Sequence, residues 1–215
     1  MQTSESFRLS ALLSFSGGLH DAYTYNLRGH VFANAQTGNV VLMSQNFMQG
    51  QVMSGLQYMS PLLAFALGIF VAEQVENRFK NEKSVHWRQI ILVIEMIALL
   101  AVGFMAPSTN MIANMMVSFA CAMQVQTFRK VHGYGYASTM CIGNLRSGTE
   151  SFSCYLREHD RAALRKALHF FGIILVFAIG AGVGGVLSLH LGLHTIWISV
   201  AILFAVALMM FREEH

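Results

Sequence analysis

Charge is what this chain has least of. Lysine, arginine, aspartate and glutamate together make up 12% of its 215 residues, against about 25% in a typical soluble domain. With 54% of the residues hydrophobic, the shortage argues against a soluble core and for a polytopic membrane protein. Cysteine is also scarce. Cys121, Cys141 and Cys154 fall at no metal-ligand spacing and form no disulfide framework, so they read as reduced packing residues. The chain has no histidine-rich cluster, no Gly-x-Ser-x-Gly and no pair of acids at a useful spacing. Gly143, Ser147 and His132 are too loose a set for a nucleophile and its base. The expectation is a protein that is not an enzyme, with no catalytic residue, no metal and no cofactor. The charged stretches Glu76–Lys83 and Arg157–Lys166 read as solvated loops drawn to anionic lipid, not as nucleic-acid patches. No small-residue cleavage site follows the first apolar run, which reads as a retained span rather than a signal peptide.

What the chain does contain is apolar length. Six stretches approach the ~20 residues that cross a bilayer: Ser10–Leu27, Gly55–Val75, Gln89–Ala106, Met111–Phe128, Ala167–Leu189 and Leu193–Phe211. Two shorter and more polar stretches, Val31–Met48 and Tyr136–Tyr155, could also cross, leaving six to eight spans. Basic residues discriminate. If both polar stretches dip in and return, thirteen of the fourteen lysines and arginines share a face with the N-terminus, and only Arg28 lies opposite. If both cross, the split is six against seven with Arg146 inside a span. The positive-inside rule favours the first arrangement, with both termini cytoplasmic.

Aligning Gly38-Asn39 with Gly143-Asn144, an offset of 105, superposes the order of elements in the two halves. Each half reads as a span, a polar stretch and two further spans. Three spans per half is an odd number, so the halves are inverted relative to each other. The expected fold class is therefore an all-α membrane protein. It has six transmembrane helices plus two re-entrant broken segments, arranged as two inverted three-helix repeats over residues 1–106 and 107–215.

The stretch "GGLHDAYTYNLRGHVFANAQTGNVVLM" resembles the opening of the YoaK family, bacterial inner-membrane proteins named as a domain of unknown function. Gly18, Asp21, Ala22, Phe32, Thr37, Gly38 and Asn39 fit the family pattern. The second-half motif departs from it: "STMCIGN" has Ile142 where a threonine is expected, which counts against any role needing a hydroxyl there. The resemblance implies an integral membrane protein of the bacterial inner membrane, with transport as a candidate activity and no established substrate.

The polar centre explains itself chemically. Irregular backbone survives in a membrane only inside protein or beside a wet cavity. Thr37-Gly38-Asn39 suits a break, because glycine tolerates unusual angles and Thr and Asn can cap a starting helix. Ile142-Gly143-Asn144 repeats the scheme. Two half-helices starting near the midplane aim two positive dipole ends at one place. The expected solute site takes Asp21, Asn34, Gln36, Thr37, Gly38 and Asn39 from the first half. From the second half it takes Gln124, Gln126, Thr139, Gly143, Asn144 and Arg146.

Arg146 at membrane depth reads either as a solute anchor or as a bridge to Glu150. Asp21 either serves the solute or a proton, or accepts hydrogen bonds from the Thr37–Asn39 break. Gln124 and Gln126, its counterparts, cannot titrate. Glu95, inside "IILVIEMIALL", needs a partner or a proton. Gly180 and Gly184 form a small-xxx-small pair for close helix packing, either within the chain or in a homo-oligomer through the fifth span. Partners are the bilayer and a small polar or anionic solute, moved by a transporter or channel. The alternative is a membrane adaptor or assembly protein whose polar centre is structural.

Overall fold

The computed structural model describes residues 6–80, 86–131, 134–135, 139 and 141–211. Within them the chain forms eight α-helices: α1 (Phe7–Leu27), α2 (Gln36–Met48), α3 (Val52–Phe79), α4 (Trp87–Phe104), α5 (Asn110–Thr127), α6 (Cys141–Glu158), α7 (Arg161–Leu191) and α8 (Ile196–Phe211). A minimal antiparallel hairpin pairs Lys130–Val131 with Tyr134–Gly135 between α5 and α6. The six apolar stretches fall on α1, α3, α4, α5, α7 and α8, and the two polar ones hold α2 and α6. Three segments are long and apolar enough to cross a membrane: Val52–Phe79, Trp87–Phe104, and the 50 residues Arg161–Met210 that run through α7, a turn and α8. The helices α1 and α5 fall short of that measure because polar residues interrupt them, Ser14, Ser16, His20 and Asp21 in one and Asn114, Ser118 and Gln124 in the other.

Helix ends follow local chemistry. Ser6 caps α1 by accepting from the Leu9 amide, and Asp160 caps α7 by accepting from the Ala162 and Ala163 amides. Pro61 lies inside α3 and has no N–H to offer the Gln57 carbonyl. The Ser60 hydroxyl donates to that carbonyl instead, at 3.3 Å.

Contacts fix the helix directions. Asn114 donates to the Arg28 carbonyl, His20 pairs with Cys121, and Gln124 donates to the Leu13 carbonyl, so α1 and α5 are antiparallel. Gly172 lies at Phe7, Gly180 at Phe15 and Gly184 at Leu19, so α7 runs parallel to α1. Gly68 lies at Phe119 and Glu73 meets Gln126, so α3 runs parallel to α5. Trp197 donates to the Leu100 carbonyl, setting the start of α8 against the end of α4. The crossings are close because glycine permits them. A Cβ on Gly180 would meet the Phe15 carbonyl oxygen, and one on Gly68 would meet that of Phe119. Gly180 and Gly184 are thus taken up by packing within the chain, while Gly182 faces open space.

The main core lies among α1, α4, α5 and α8, around Leu13, Leu92, Leu99, Val117 and Leu203. At one end sits Arg28, fully buried. At the opposite end Arg129 reaches both Glu73 and Glu76. Arg8, Arg78, Lys80, Arg88, Arg161, Arg165 and Lys166 belong to the helix ends on that opposite side. Lys83 and Arg212 lie outside the described residues.

Candidate functional site

The chain leaves α1 at the Arg28 end through two residues of positive φ, Gly29 (88°) and His30 (58°). There the Gly29 carbonyl accepts from Gln57 at 3.0 Å. Residues 31–35 then run without helix to the middle of α1, where the Asn34 side chain donates to the Gly17 carbonyl at 3.1 Å. Helix α2 turns back, and Phe47 near its end lies against Gly55 near the start of α3. Gly50, with φ 75°, makes the turn between them.

An unpaired backbone in an apolar interior is costly, so this inbound stretch needs partners. Side chains supply them. Asn39 accepts from the Phe32 amide at 3.1 Å and donates to the Phe32 carbonyl at 2.7 Å, as a neighbouring strand would. Gln36 and Ser118 donate to the Ala33 carbonyl at 2.8 and 3.1 Å. Asp21 accepts from the Asn34 amide at 2.7 Å. The α2 N-cap is Ala35, which has no side-chain bond to give; the Asp21 carboxylate reaches across from α1 to the backbone just before it.

Two sequence expectations shift here. Thr37-Gly38-Asn39 is the first turn of α2, not the segment before it, because the helix begins at Gln36. Asp21 therefore bonds Asn34 rather than the Thr37–Asn39 break. Thr37 is exposed, and Gly38 leaves room for the Phe32 ring. Cys141 likewise begins α6, so Ile142-Gly143-Asn144 is its first turn and Arg146 stands in the second.

The second break reaches the same place. Thr139 is buried with its methyl group against Gly17, where a Cβ would collide with it. Helix α6 then passes α7, with Gly148 against Phe170 and Phe171. Gly17 of α1 therefore lies between Asn34 and Thr139. Each of these keeps one side-chain oxygen, Asn34 Oδ1 and Thr139 Oγ1, with no hydrogen-bond partner among the described residues. Asn144 is buried on the packed face of α6, and Gly143 faces open space.

The remaining expected residues stand elsewhere. Gln124 is buried and bonds α1 at Leu13. Gln126 meets Glu73 near the charged end, away from Gly17. Arg146 is exposed and forms no ion pair with Glu150 among the described residues. The exposed surface of α6 divides in two. Leu145, Phe152 and Leu156 make an apolar flank. Gly143, Arg146, Glu150, Ser153 and Arg157, spaced three and four residues apart, make a polar stripe running from the break to the end of the helix. Sequence reading missed Gly17, Ser118 and Arg28. The signal for Ser118 was present: Asn114, Ser118 and Cys121 form an i, i+4, i+7 polar stripe in an apolar span, and that stripe faces α1 and the inbound stretch after it.

Residues 9–209 match a family model described as a protein of unknown function, DUF1275. The chain belongs to the DUF1275 family. A curated relative, the UPF0700 transmembrane protein YoaK of Bacillus subtilis (strain 168), is 22% identical over 207 residues, covering 92% of this chain and 91% of its own. No solved structure matches. In this DUF1275 chain the matched region takes in both breaks, every helix that meets at Gly17, and the departure at Ile142. The family match and the apolar helices together make it a membrane protein.

Proposed function

We propose that this chain is a transporter or channel for a small polar solute, built from two inverted three-helix repeats with one re-entrant segment each. The observation that carries the reading is the convergence of both breaks on Gly17, with one free oxygen from each half, Asn34 Oδ1 and Thr139 Oγ1. Inversion is supported by the opposed directions of α1 and α5. It is supported again by one contact made twice: Phe15 on Gly180 and Phe119 on Gly68, a Phe–Gly pair exchanged between halves. Re-entry of the first break is supported by its two ends, since Gly29 meets Gln57 and Phe47 meets Gly55 at the same side of the bundle. The clustering of basic residues opposite Arg28 supports a cytoplasmic position for that end, and so for both termini, in a bacterial inner membrane.

The chemistry narrows the solute. Two half-helix N-termini would favour an anion, but Asp21 already sets a carboxylate against the start of α2. The free groups that remain at Gly17 are neutral oxygens. This favours a neutral hydrogen-bonding solute over an anion at the break itself. Arg146 acts earlier on the path. A stripe of Arg146, Glu150, Ser153 and Arg157 at membrane depth is far too polar for lipid, and it makes a wet approach from the cytoplasmic end.

The test combines flux with blocking. Proteoliposomes are scored by stopped-flow light scattering for swelling in glycerol, urea and potassium formate. Cys141 and Cys154 are replaced by serine; Cys121 is buried and stays. The expected result is faster swelling than in empty liposomes for glycerol or urea. A charged methanethiosulfonate should then slow it severalfold at Arg146→Cys and Ser153→Cys, but not at Leu145→Cys or Leu156→Cys. Swelling no faster than in empty liposomes with all three solutes, and a stripe closed to the reagent, would discard the reading.

One observation favours the adaptor alternative. Asp21, Gln36 and Asn39 all bond the chain's own backbone, as a purely structural centre would require. The blocking experiment separates the two, because a packed adaptor has no reagent-accessible stripe.

A further inference from the structure

Glu95 stands at the centre of the 18-residue helix α4 and is fully buried. Neither of its carboxyl oxygens has a hydrogen-bond partner among the described residues. Helix α4 packs on α3, α5, α8 and the turn Gly192–Thr195. His194 of that turn lies against Trp197, which bonds Leu100 near the end of α4, and among the described residues none of these elements brings Glu95 a cation. From α5 comes the Cys121 thiol, with the neutral Asn114, Ser118 and Gln124 along the same helix. From α8 there is no titratable side chain, only Ser199, whose hydroxyl is also unpaired. The acids of α3, Glu73 and Glu76, lie at its charged end beside Arg129. Across the core, α1 brings His20 and Asp21. Both His20 ring nitrogens are engaged, Nδ1 with Cys121 at 3.2 Å and Nε2 with Ser16 at 3.3 Å. Arg28 is engaged with Tyr23, Asn110 and three carbonyls at the far end.

A carboxylate in such a place has no counter-charge and no donor. The charged form at mid-membrane is costly, and the neutral acid is the form the surroundings permit. Cys121 of α5 lies in one buried cluster with Leu92 and Leu99, which stand a turn to either side of Glu95 on the same face of α4. A charge appearing on Glu95 would therefore be felt across the Cys121–His20 pair by the carboxylate that holds the start of α2.

We propose that Glu95 is a proton-binding site in the membrane interior, coupled through Cys121 and His20 to the Asp21–Asn34 contact at the break. The coupling rests on the transport reading; the proton site does not. The ligand is a proton exchanged with water as the protein cycles, not a metal ion: among the described residues no three His, Cys, Asp or Glu side chains gather to hold one.

The experiment is infrared difference spectroscopy on the full chain in liposomes, wild type against Glu95→Gln. The glutamine is nearly isosteric, and intact folding is checked by its elution and melting profile. The expected result is a carbonyl band of a protonated carboxylic acid in the wild type, absent in E95Q, that shifts on transfer to heavy water. Dicyclohexylcarbodiimide should modify Glu95, seen by peptide mass spectrometry, and should modify it less as pH is raised. An ionised Glu95 with no acid band would overturn the proposal, and so would a band that never exchanges, which marks a sealed structural proton. If E95Q does not fold, the carbodiimide adduct and its pH dependence in the wild type decide alone. Where wild-type swelling is measurable, its pH dependence should disappear in E95Q. Absent swelling removes the transport reading and leaves the spectroscopic result standing.

Discussion

Arg28→Ala should lower the melting temperature of the detergent-solubilised protein by about 6–20 °C, taking about 2–4 °C per kcal/mol at this chain length. The guanidinium donates to the Tyr23 hydroxyl (2.9 Å), the carbonyls of Val102 (2.8 Å), Met105 (3.0 Å) and Ala106 (3.4 Å), and Asn110 Oδ1 (3.0 Å). Three of these acceptors are carbonyls at and just beyond the C-terminus of α4, where free carbonyls and the negative end of the helix dipole collect. The arginine thus joins α1, α4 and α5 with one side chain. Each buried acceptor left without a donor costs ~1–3 kcal/mol, and some readmission of water at the helix end offsets part of the sum. A net loss of roughly 3–5 kcal/mol is expected. Arg28→Lys should fall between, because an ammonium keeps the charge but not the planar fork. Thermal unfolding followed by tryptophan fluorescence measures both. An Arg28→Ala protein that melts with the wild type would mean that the α4 carbonyls are open to water and the arginine is dispensable.

The second large effect is a matched pair, Gly180→Ala and Gly68→Ala. Replacing glycine by alanine inside an exposed helix normally gains about 0.8–1 kcal/mol in helix propensity. Here the new methyl would meet a backbone carbonyl, of Phe15 in one case and Phe119 in the other. A carbonyl on a packed helix cannot swing away as a side-chain tip can. Overpacking of this kind costs about 1–3 kcal/mol, so the clash outweighs the propensity gain and both substitutions should destabilise. Gly182→Ala meets nothing within 4 Å and should be neutral or stabilising. The same melting assay reads all three. If Gly180→Ala behaves like Gly182→Ala, then α1 and α7 do not pack backbone to backbone. Similar losses at Gly180 and Gly68 would add weight to the two-repeat proposal.

The sequence made the helices legible and much of the site illegible, for identifiable reasons. Helix positions depend on apolar length, a local property, and α3, α4 and α7 lie where hydrophobic runs put them. The two breaks were equally visible as glycine and amides in apolar surroundings. The start of α2 was not, because its N-cap is an alanine and the carboxylate serving that end comes from Asp21 on α1. No local rule reaches across such a gap. Asn39 looked like a cap and is a surrogate strand for Phe32. Gln124 and Gln126 are two residues apart, and in a helix that separation turns one toward α1 and the other toward Glu73 on α3. Arg146 was assigned to the centre by its depth, yet its direction follows from the face of α6 that packs on α7. That face is set by Asn144, Gly148 and Ser151. Arg28 appeared as the one basic residue on the wrong side, and apart from Tyr23 its acceptors lie more than seventy residues away.

The exchange of partners between halves has a consequence for how the protein is made. The principal neighbour of α1 is α7, whose first residue leaves the ribosome 154 positions after Phe7, or about eight to thirty seconds later at common translation speeds. Through that interval Gly18 of α1 stands without the α7 backbone it packs on, whereas Asp21 already has Asn34 and His20 gains Cys121 once α5 is made. The close α1–α7 contact is therefore among the last to form. By the same logic the chain cut between residues 106 and 107 yields two fragments, neither of which can mature without the other.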